Sequence, residues 1–198
     1  NRGMDEIYTV AIGNAWFMKT KAPTAYYADI NRSDNQGATW TKVGTSPGLS
    51  SLVACGQFLF EAGYDYVAKQ NAVKVSSDSG RTWSALQTGI SDLPDLTLAS
   101  SSLVAGGSIL ALGSRDLLNR SVLDVSKNNG TSWTRASLPA NCSINSIAPI
   151  GNNIVLATTN GLLLSRDYGT TWSAVGGGLR TPAIAQIYTC MRTVLAVD

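Results

Sequence analysis

Apolar residues fall along this chain in short runs of about four to eight, parted by small turn residues. "INSIAPI" (144–150), "NIVLATT" (153–159) and "GLLLSRD" (161–167) follow one another in this way, as do "SSLVAC" (50–55), "FLFEAG" (58–63) and "NAVKVSS" (71–77). Runs of this length, rich in Val, Ile and Leu and bounded by Gly and Asn, predict buried or half-buried β-strands. The tetrads "IGNN" and "AGGS" mark tight turns between strands. No stretch longer than a turn holds a convincing helical period. Residues 92–104 come nearest, but their Ser and β-branched content predicts loop, then strand.

A polar stretch recurs at the end of each third strand. It reads "SDNQGATW" (33–40), "SSDSGRTW" (76–83), "SKNNGTSW" (126–133) and "SRDYGTTW" (165–172). The tryptophans fall at 40, 83, 133 and 172, a spacing of about 40–50 residues that matches the blade of a β-propeller. Each unit is then three short strands, the polar turn, and a fourth strand starting at the Trp. The expected fold is all-β, a propeller of four-stranded antiparallel blades in a single domain, with blades near 6–43, 50–86, 100–136 and 144–176. "IAQIYTC" (184–190) and "TVLAVD" (193–198) predict the first half of a fifth blade, since "QIYTCMR" shares its IYT with "EIYTVAI" (6–12). That blade is either half-built or completed by other chain.

The turn pattern S-x-D-x-G-x-T-W resembles the Asp box of bacterial-neuraminidase-type repeats. Two copies match it fully, and two carry Asn35 and Asn128 in the Asp place. Four copies in register make the resemblance specific for the fold. The residue chemistry gives each box a structural task. Asn35, Asp78, Asn128 and Asp167 can accept the unpaired N–H groups of a tight hairpin, and the Asp-to-Asn exchanges argue against catalysis. Ser33, Ser76, Ser126 and Ser165 add a local hydroxyl bond. Gly37, Gly80, Gly130 and Gly169 suit a positive φ, and Trp40, Trp83, Trp133 and Trp172 anchor the core between blades. The resemblance implies that the boxes lie on the outer rim, away from the face that meets a ligand.

Composition narrows the function classes. Charged residues are 14%, hydrophobic residues 44%, and the net charge is +2. Gly, Ser and Thr solvate the surface instead, as in many extracellular all-β proteins. The balance leaves no electrostatic footprint for nucleic acid, and no apolar run is long enough for direct membrane insertion. There is no His, which removes the usual general base and the commonest metal ligand. Cys55, Cys142 and Cys190 form neither a disulfide framework nor a zinc site, and read as buried thiols with one bridge open to them. The opening "NRGMDE" reads as a processed product or an excised fragment. Sequons at Asn31, Asn119, Asn129 and Asn141 are what chance supplies in a hydroxyl-rich chain.

If the boxes mark one edge, ligands belong at the opposite loops. Two of these carry candidate chemistry. Tyr64, Asp65 and Tyr66 place two aromatics around a carboxylate, a composition that suits sugar by stacking and hydrogen bonding. Arg115, Asp116 and Arg120, with Arg180, would form an anion-binding rim. Asp92 and Asp95 are weak Ca²⁺ candidates, for which a Pro-bearing turn is the better reading, and no other cofactor is expected. The favoured expectation is a non-catalytic attachment module for a cell-surface glycan or protein receptor. It would belong to a larger extracellular or virion-surface protein and associate through flanking domains. Non-catalytic relatives implied by the resemblance include sorting-receptor ectodomains, assembly factors, and viral or phage attachment heads. A sialidase-like glycosidase is the alternative, with Glu61 near Tyr64 and Tyr66 as a fragment of the set, but the Arg-Ile-Pro motif typical of sialidases is absent. A protein-assembly scaffold is the third reading.

Overall fold

The computed structural model describes residues 6–21, 25–47, 49, 51–86, 90, 103–177, 184–190 and 193–197. Every regular element among them is a strand. The first sheet is β1 (Glu6–Ile12), β2 (Ala15–Lys21), β3 (Ala28–Ser33) and β4 (Thr41–Ser46). The second is β5 (Val53–Cys55), β6 (Phe58–Asp65), β7 (Gln70–Ser76) and β8 (Ser84–Ala85). The third is β9 (Leu103–Gly106), β10 (Ile109–Arg115), β11 (Ser121–Ser126) and β12 (Thr134–Arg135). The fourth is β13 (Ile144–Ile150), β14 (Asn153–Thr158), β15 (Gly161–Ser165) and β16 (Ser173–Val175). A two-stranded sheet follows, β17 (Gln186–Cys190) with β18 (Thr193–Val197).

Strands pair in chain order within each four-stranded sheet, and the pairings are antiparallel. That topology sorts the connections. Second-to-third strand loops and sheet-to-sheet connections lie at one end of a sheet; the S-x-[DN]-x-G-x-[ST]-W turns lie at the other. Residues 92–102 of the stretch read above as loop and then strand, including Asp92 and Asp95, and Arg180 lie outside the described residues.

The chain divides into two compact units, residues 1–87 with 98–103 and residues 88–97 with 104–198. In the first, Phe17, Ile30, Leu52 and Leu59 form the core, with Val10, Val43 and Trp83 against it. In the second, Ile109, Ala111, Leu123 and Val125 meet Ile154 and Leu156. These positions alternate along their strands, so each sheet offers one apolar row to its neighbour.

The four polar turns share one bonding scheme. The Ser hydroxyl donates to the Asn or Asp oxygen two residues on, at 2.8–3.0 Å, and accepts from the Gly N–H. The same carboxyl or amide oxygen accepts the N–H of the Thr or Ser just before the Trp. The last bond changes polarity with residue type. Thr82 and Thr171 hydroxyls donate to Asp78 and Asp167 at 2.6 Å. Asn35 and Asn128 instead donate their amide N–H to the Thr39 and Ser132 hydroxyls at 2.9 Å. Asp and Asn are therefore interchangeable here because the hydroxyl can turn to be donor or acceptor.

Two consecutive residues in each turn are left-handed, where the sequence marks only the Gly. Gln36, Ser79, Asn129 and Tyr168 have φ of 57°, 61°, 53° and 58°, immediately before the glycines. The tryptophans end just short of the fourth strand. Trp133 Nε1 donates to Gly130 O at 3.2 Å, whereas Trp83 and Trp172 Nε1 are buried with no acceptor among the described residues.

The Thr82 hydroxyl and N–H lower the Asp78 pKa from 3.8 to about 2, and the Thr171 groups do the same for Asp167. A depressed carboxyl stabilises the fold above its unfolded value and ceases to as pH falls through its folded value. The Thr82 and Thr171 amide shifts are therefore expected to titrate with midpoints near 2, while those of Thr39 and Ser132 stay flat. A midpoint near 3.8 for the first pair, in a pH series by NMR, would show that the bonds do not form.

Candidate functional site

The β6–β7 loop is built around Asp65, the last residue of β6. Its side chain is buried, and Oδ1 accepts the Val67 and Ala68 N–H groups at 2.9 and 3.0 Å. Oδ2 pairs with Lys74 on the partner strand at 3.0 Å. Burial works to raise the Asp65 pKa, but these donors and the ammonium outweigh it, and the carboxyl lies below its ordinary range. Asp65 thus holds the loop and is not displayed between the tyrosines.

The tyrosines face outward. Tyr64 and Tyr66 are exposed and meet edge to face, with centroids 5.1 Å apart. Tyr26, from the β2–β3 connection, is 62% exposed and lies 6.2 Å from Tyr66. Tyr27 and Val67 are exposed as well. Two loops thus contribute to one aromatic surface at the end of the sheets away from the polar turns. Sequence reasoning found Tyr64 and Tyr66 but not Tyr26, although it lies in the adjacent second-to-third strand connection.

Glu61 lies on the opposite face of β6 from Tyr64. It and Lys19 are both fully buried, with Nζ 3.4 Å from Oε1. Lys19 also donates to the Leu49 and Ser51 carbonyls, and its Nζ sits 4.7 Å from the Tyr8 ring centroid. Glu61 Oε2 accepts the Leu49 N–H at 3.3 Å. Burial raises the Glu61 pKa, against the pull of Lys19, the Ser46 hydroxyl and the Leu49 N–H. The cluster ties β2 to β6 and to the connection between their sheets.

In the second unit, Arg115, Asp116 and Arg120 line a groove of ≈ 720 Å³ with Arg135 and the segment Leu138–Ser143. Asp116 is engaged within its own loop. It accepts the Leu118 and Arg120 N–H groups and pairs with the Arg120 guanidinium at 2.6 Å, which lowers its pKa. Arg135 pairs with buried Asp124 at 2.7 Å. Arg115 donates to Asn119 O and Ser143 Oγ, and no carboxylate among the described residues is within ion-pair distance of it.

Among the described residues no cluster of three or more Asp, Glu, Cys or His side chains could hold a metal. Burial raises the thiol pKa values of Cys55 and Cys142. No helix among the described residues is long and apolar enough to cross a membrane, which says nothing of membrane β-barrels.

No protein-family model matches the chain, and neither does any curated protein sequence. Solved structures do. The extracellular domain of a one-component system of B. thetaiotaomicron is similar over 97% of this chain and 26% of that one, at 13% identity and a TM-score of 0.61. A chain of the nidogen/laminin complex is similar over 97% of this chain and 71% of its own, at 11% identity and a TM-score of 0.61. A Hadza microbial sialidase is similar over 92% of this chain and 49% of its own, at 14% identity and a TM-score of 0.54. This chain thus spans about a quarter of the first and half of the third. At such identities the likeness speaks for fold alone, and together with the four-stranded antiparallel sheets it gives the fold class: the chain is a β-propeller.

Proposed function

We propose that this chain is a non-catalytic recognition module, and that the Tyr26–Tyr64–Tyr66 surface takes a cell-surface glycan. The observation that carries the reading is that surface itself. Tyr66 meets both Tyr26 and Tyr64, and all three rings are exposed. Ring faces with a hydroxyl at the edge suit the alternating C–H and O–H surface of a pyranose. A protein receptor is the other partner such a surface accommodates. The near-neutral charge favours neither nucleic acid nor an anionic membrane. The proposed setting is extracellular or on a virion surface, within a larger protein. The glycosidase alternative is less supported, because Glu61 and Asp65, the two carboxylates of β6, are buried and engaged.

A glycan array probed with the purified chain tests this. Binding to at least one glycan is expected, with Tyr66→Ala weakening it by about tenfold, the loss of roughly one stacking contact. Tyr66 is exposed, so the variant should unfold at an unchanged temperature. An array without signal, or Tyr66→Ala and Tyr26→Ala binding as well as the parent, would overturn the glycan reading. Turnover of a reporter glycoside would overturn the non-catalytic one.

A further inference from the structure

The groove of the second unit gathers more hydrogen-bond donors than its own residues satisfy. Arg115, the last residue of β10, alternates with Ile109 and Ala111 and so points between the third and fourth sheets. It is half-buried, and its guanidinium uses only two of five N–H groups, on Asn119 O at 3.0 Å and Ser143 Oγ at 3.3 Å. Ser121 lies directly across the ladder from Arg115, and its hydroxyl oxygen accepts the Ile144 N–H at 2.9 Å. Among the described residues neither the Ser121 nor the Ser143 hydroxyl donates a bond. Two O–H groups therefore stand beside the remaining N–H groups of Arg115.

No carboxylate in the groove answers them. Asp116 Oδ1 accepts the Leu118 and Arg120 N–H groups, and Oδ2 pairs with the Arg120 guanidinium. Arg135 is matched by buried Asp124. Of the three arginines lining the groove, two thus have a carboxylate partner, and the positive charge in excess is on Arg115. A second stretch of the lining, Leu138, Pro139 and Ala140, is uncharged and mainly apolar. Its connection is tied down, since the Cys142 N–H donates to Pro139 O at 3.2 Å and the Thr159 N–H to Ser143 O at 3.1 Å. The volume of ≈ 720 Å³ falls within the range of small-ligand sites, roughly 300–1,000 Å³.

We propose that this groove binds an acidic saccharide. The carboxylate of a uronate residue would meet Arg115 and the Ser121 and Ser143 hydroxyls, a planar acceptor pair on a planar donor fork. The C–H face of the same ring would rest on Leu138–Ala140. A pyranose that carries a carboxylate on one edge and an apolar face has both of the features that this lining matches. The site shares no residue with the tyrosine surface, and the proposal stands or falls without it.

The probe is trigalacturonate, titrated into the intact chain and followed by heteronuclear NMR. Saturating shifts of the Arg115 Nε–H and of the amides of Ala140 to Ser143 are expected. The neutral galactose trisaccharide should bind at least about tenfold more weakly, the loss of a charge-assisted contact. Arg115→Gln should weaken trigalacturonate by as much, Arg115→Lys by less, and Tyr66→Ala not at all. The comparison of the two sugars uses the parent chain, so it holds even where Arg115→Gln lowers stability. No shift at millimolar trigalacturonate, equal affinity for the neutral sugar, or shifts confined to Tyr26, Tyr64 and Tyr66 would overturn the proposal. Acetate or triglutamate giving the same shifts at the same concentration would also overturn it, since the groove would then read the anion and not the sugar.

Discussion

Glu61→Ala is expected to destabilise the first unit by about 3–5 kcal/mol, the usual loss when one member of a buried ion pair is removed. Lys19 has no exposed surface, so its ammonium would be left with the Leu49 and Ser51 carbonyls and the face of Tyr8. Glu61→Gln keeps the shape and the Leu49 N–H bond but discards the charge, and should be nearly as costly. The Lys19→Met/Glu61→Leu double variant removes the unpaired charge and is expected to fall short of the summed single losses by about 1–3 kcal/mol. Urea unfolding of the parent, the Lys19→Met and Glu61→Leu single variants and the double variant measures the cycle. A Glu61→Ala loss under about 1 kcal/mol would mean that water reaches the pair and that it is not the buried cluster described.

Gly44→Ala is the second large effect, and it acts by crowding alone. Gly44 lies in β4 beside a bulge, where Ile30 pairs with Gly44 and Asn31 with Lys42. A Cβ at this position would stand 2.2 Å from Gly80 O and 2.9 Å from Arg81 Cα. Both are backbone atoms of a turn fixed by Ser76 and Asp78, so the turn cannot yield without losing those bonds. A loss of about 3 kcal/mol or more is expected, at the upper end for an overpacked core. Ser137 holds the corresponding place in the second unit and already carries a Cβ, so Ser137→Ala should change stability by less than about 0.5 kcal/mol. Thermal unfolding of the two variants makes the comparison. Equal midpoints would show that the first and second sheets are not in such close approach.

The strands and turns were legible because the same physical problem is solved four times. A hairpin that must satisfy its own N–H groups selects Ser, Asn or Asp, Gly and a hydroxyl at fixed offsets, and repetition lifts that pattern above chance. The sequence reading also identified the end of the sheets that carries the aromatic surface, since strand order alone sorts the loops. What it could not see were pairings between strands far apart in the chain. Lys19 and Glu61 are 42 positions apart, and only the alternation of Lys19 with buried Phe17 hints that its side chain points inward. Asp65 reads as a displayed carboxylate because exposure is the default for Asp. Its fate is decided by two N–H groups of the next turn and by Lys74 across the ladder.

That internal anchoring has a thermodynamic consequence for whatever lands on the tyrosines. A free loop gives up about 1–2 kcal/mol of backbone entropy for each residue it must order on contact. Here the backbone after Tyr64 is already fixed by Asp65, and the Tyr64 and Tyr66 rings already rest edge to face. The ordering takes place when the chain folds, so the proposed partner would meet rings already in position, and more of the contact energy would appear as affinity.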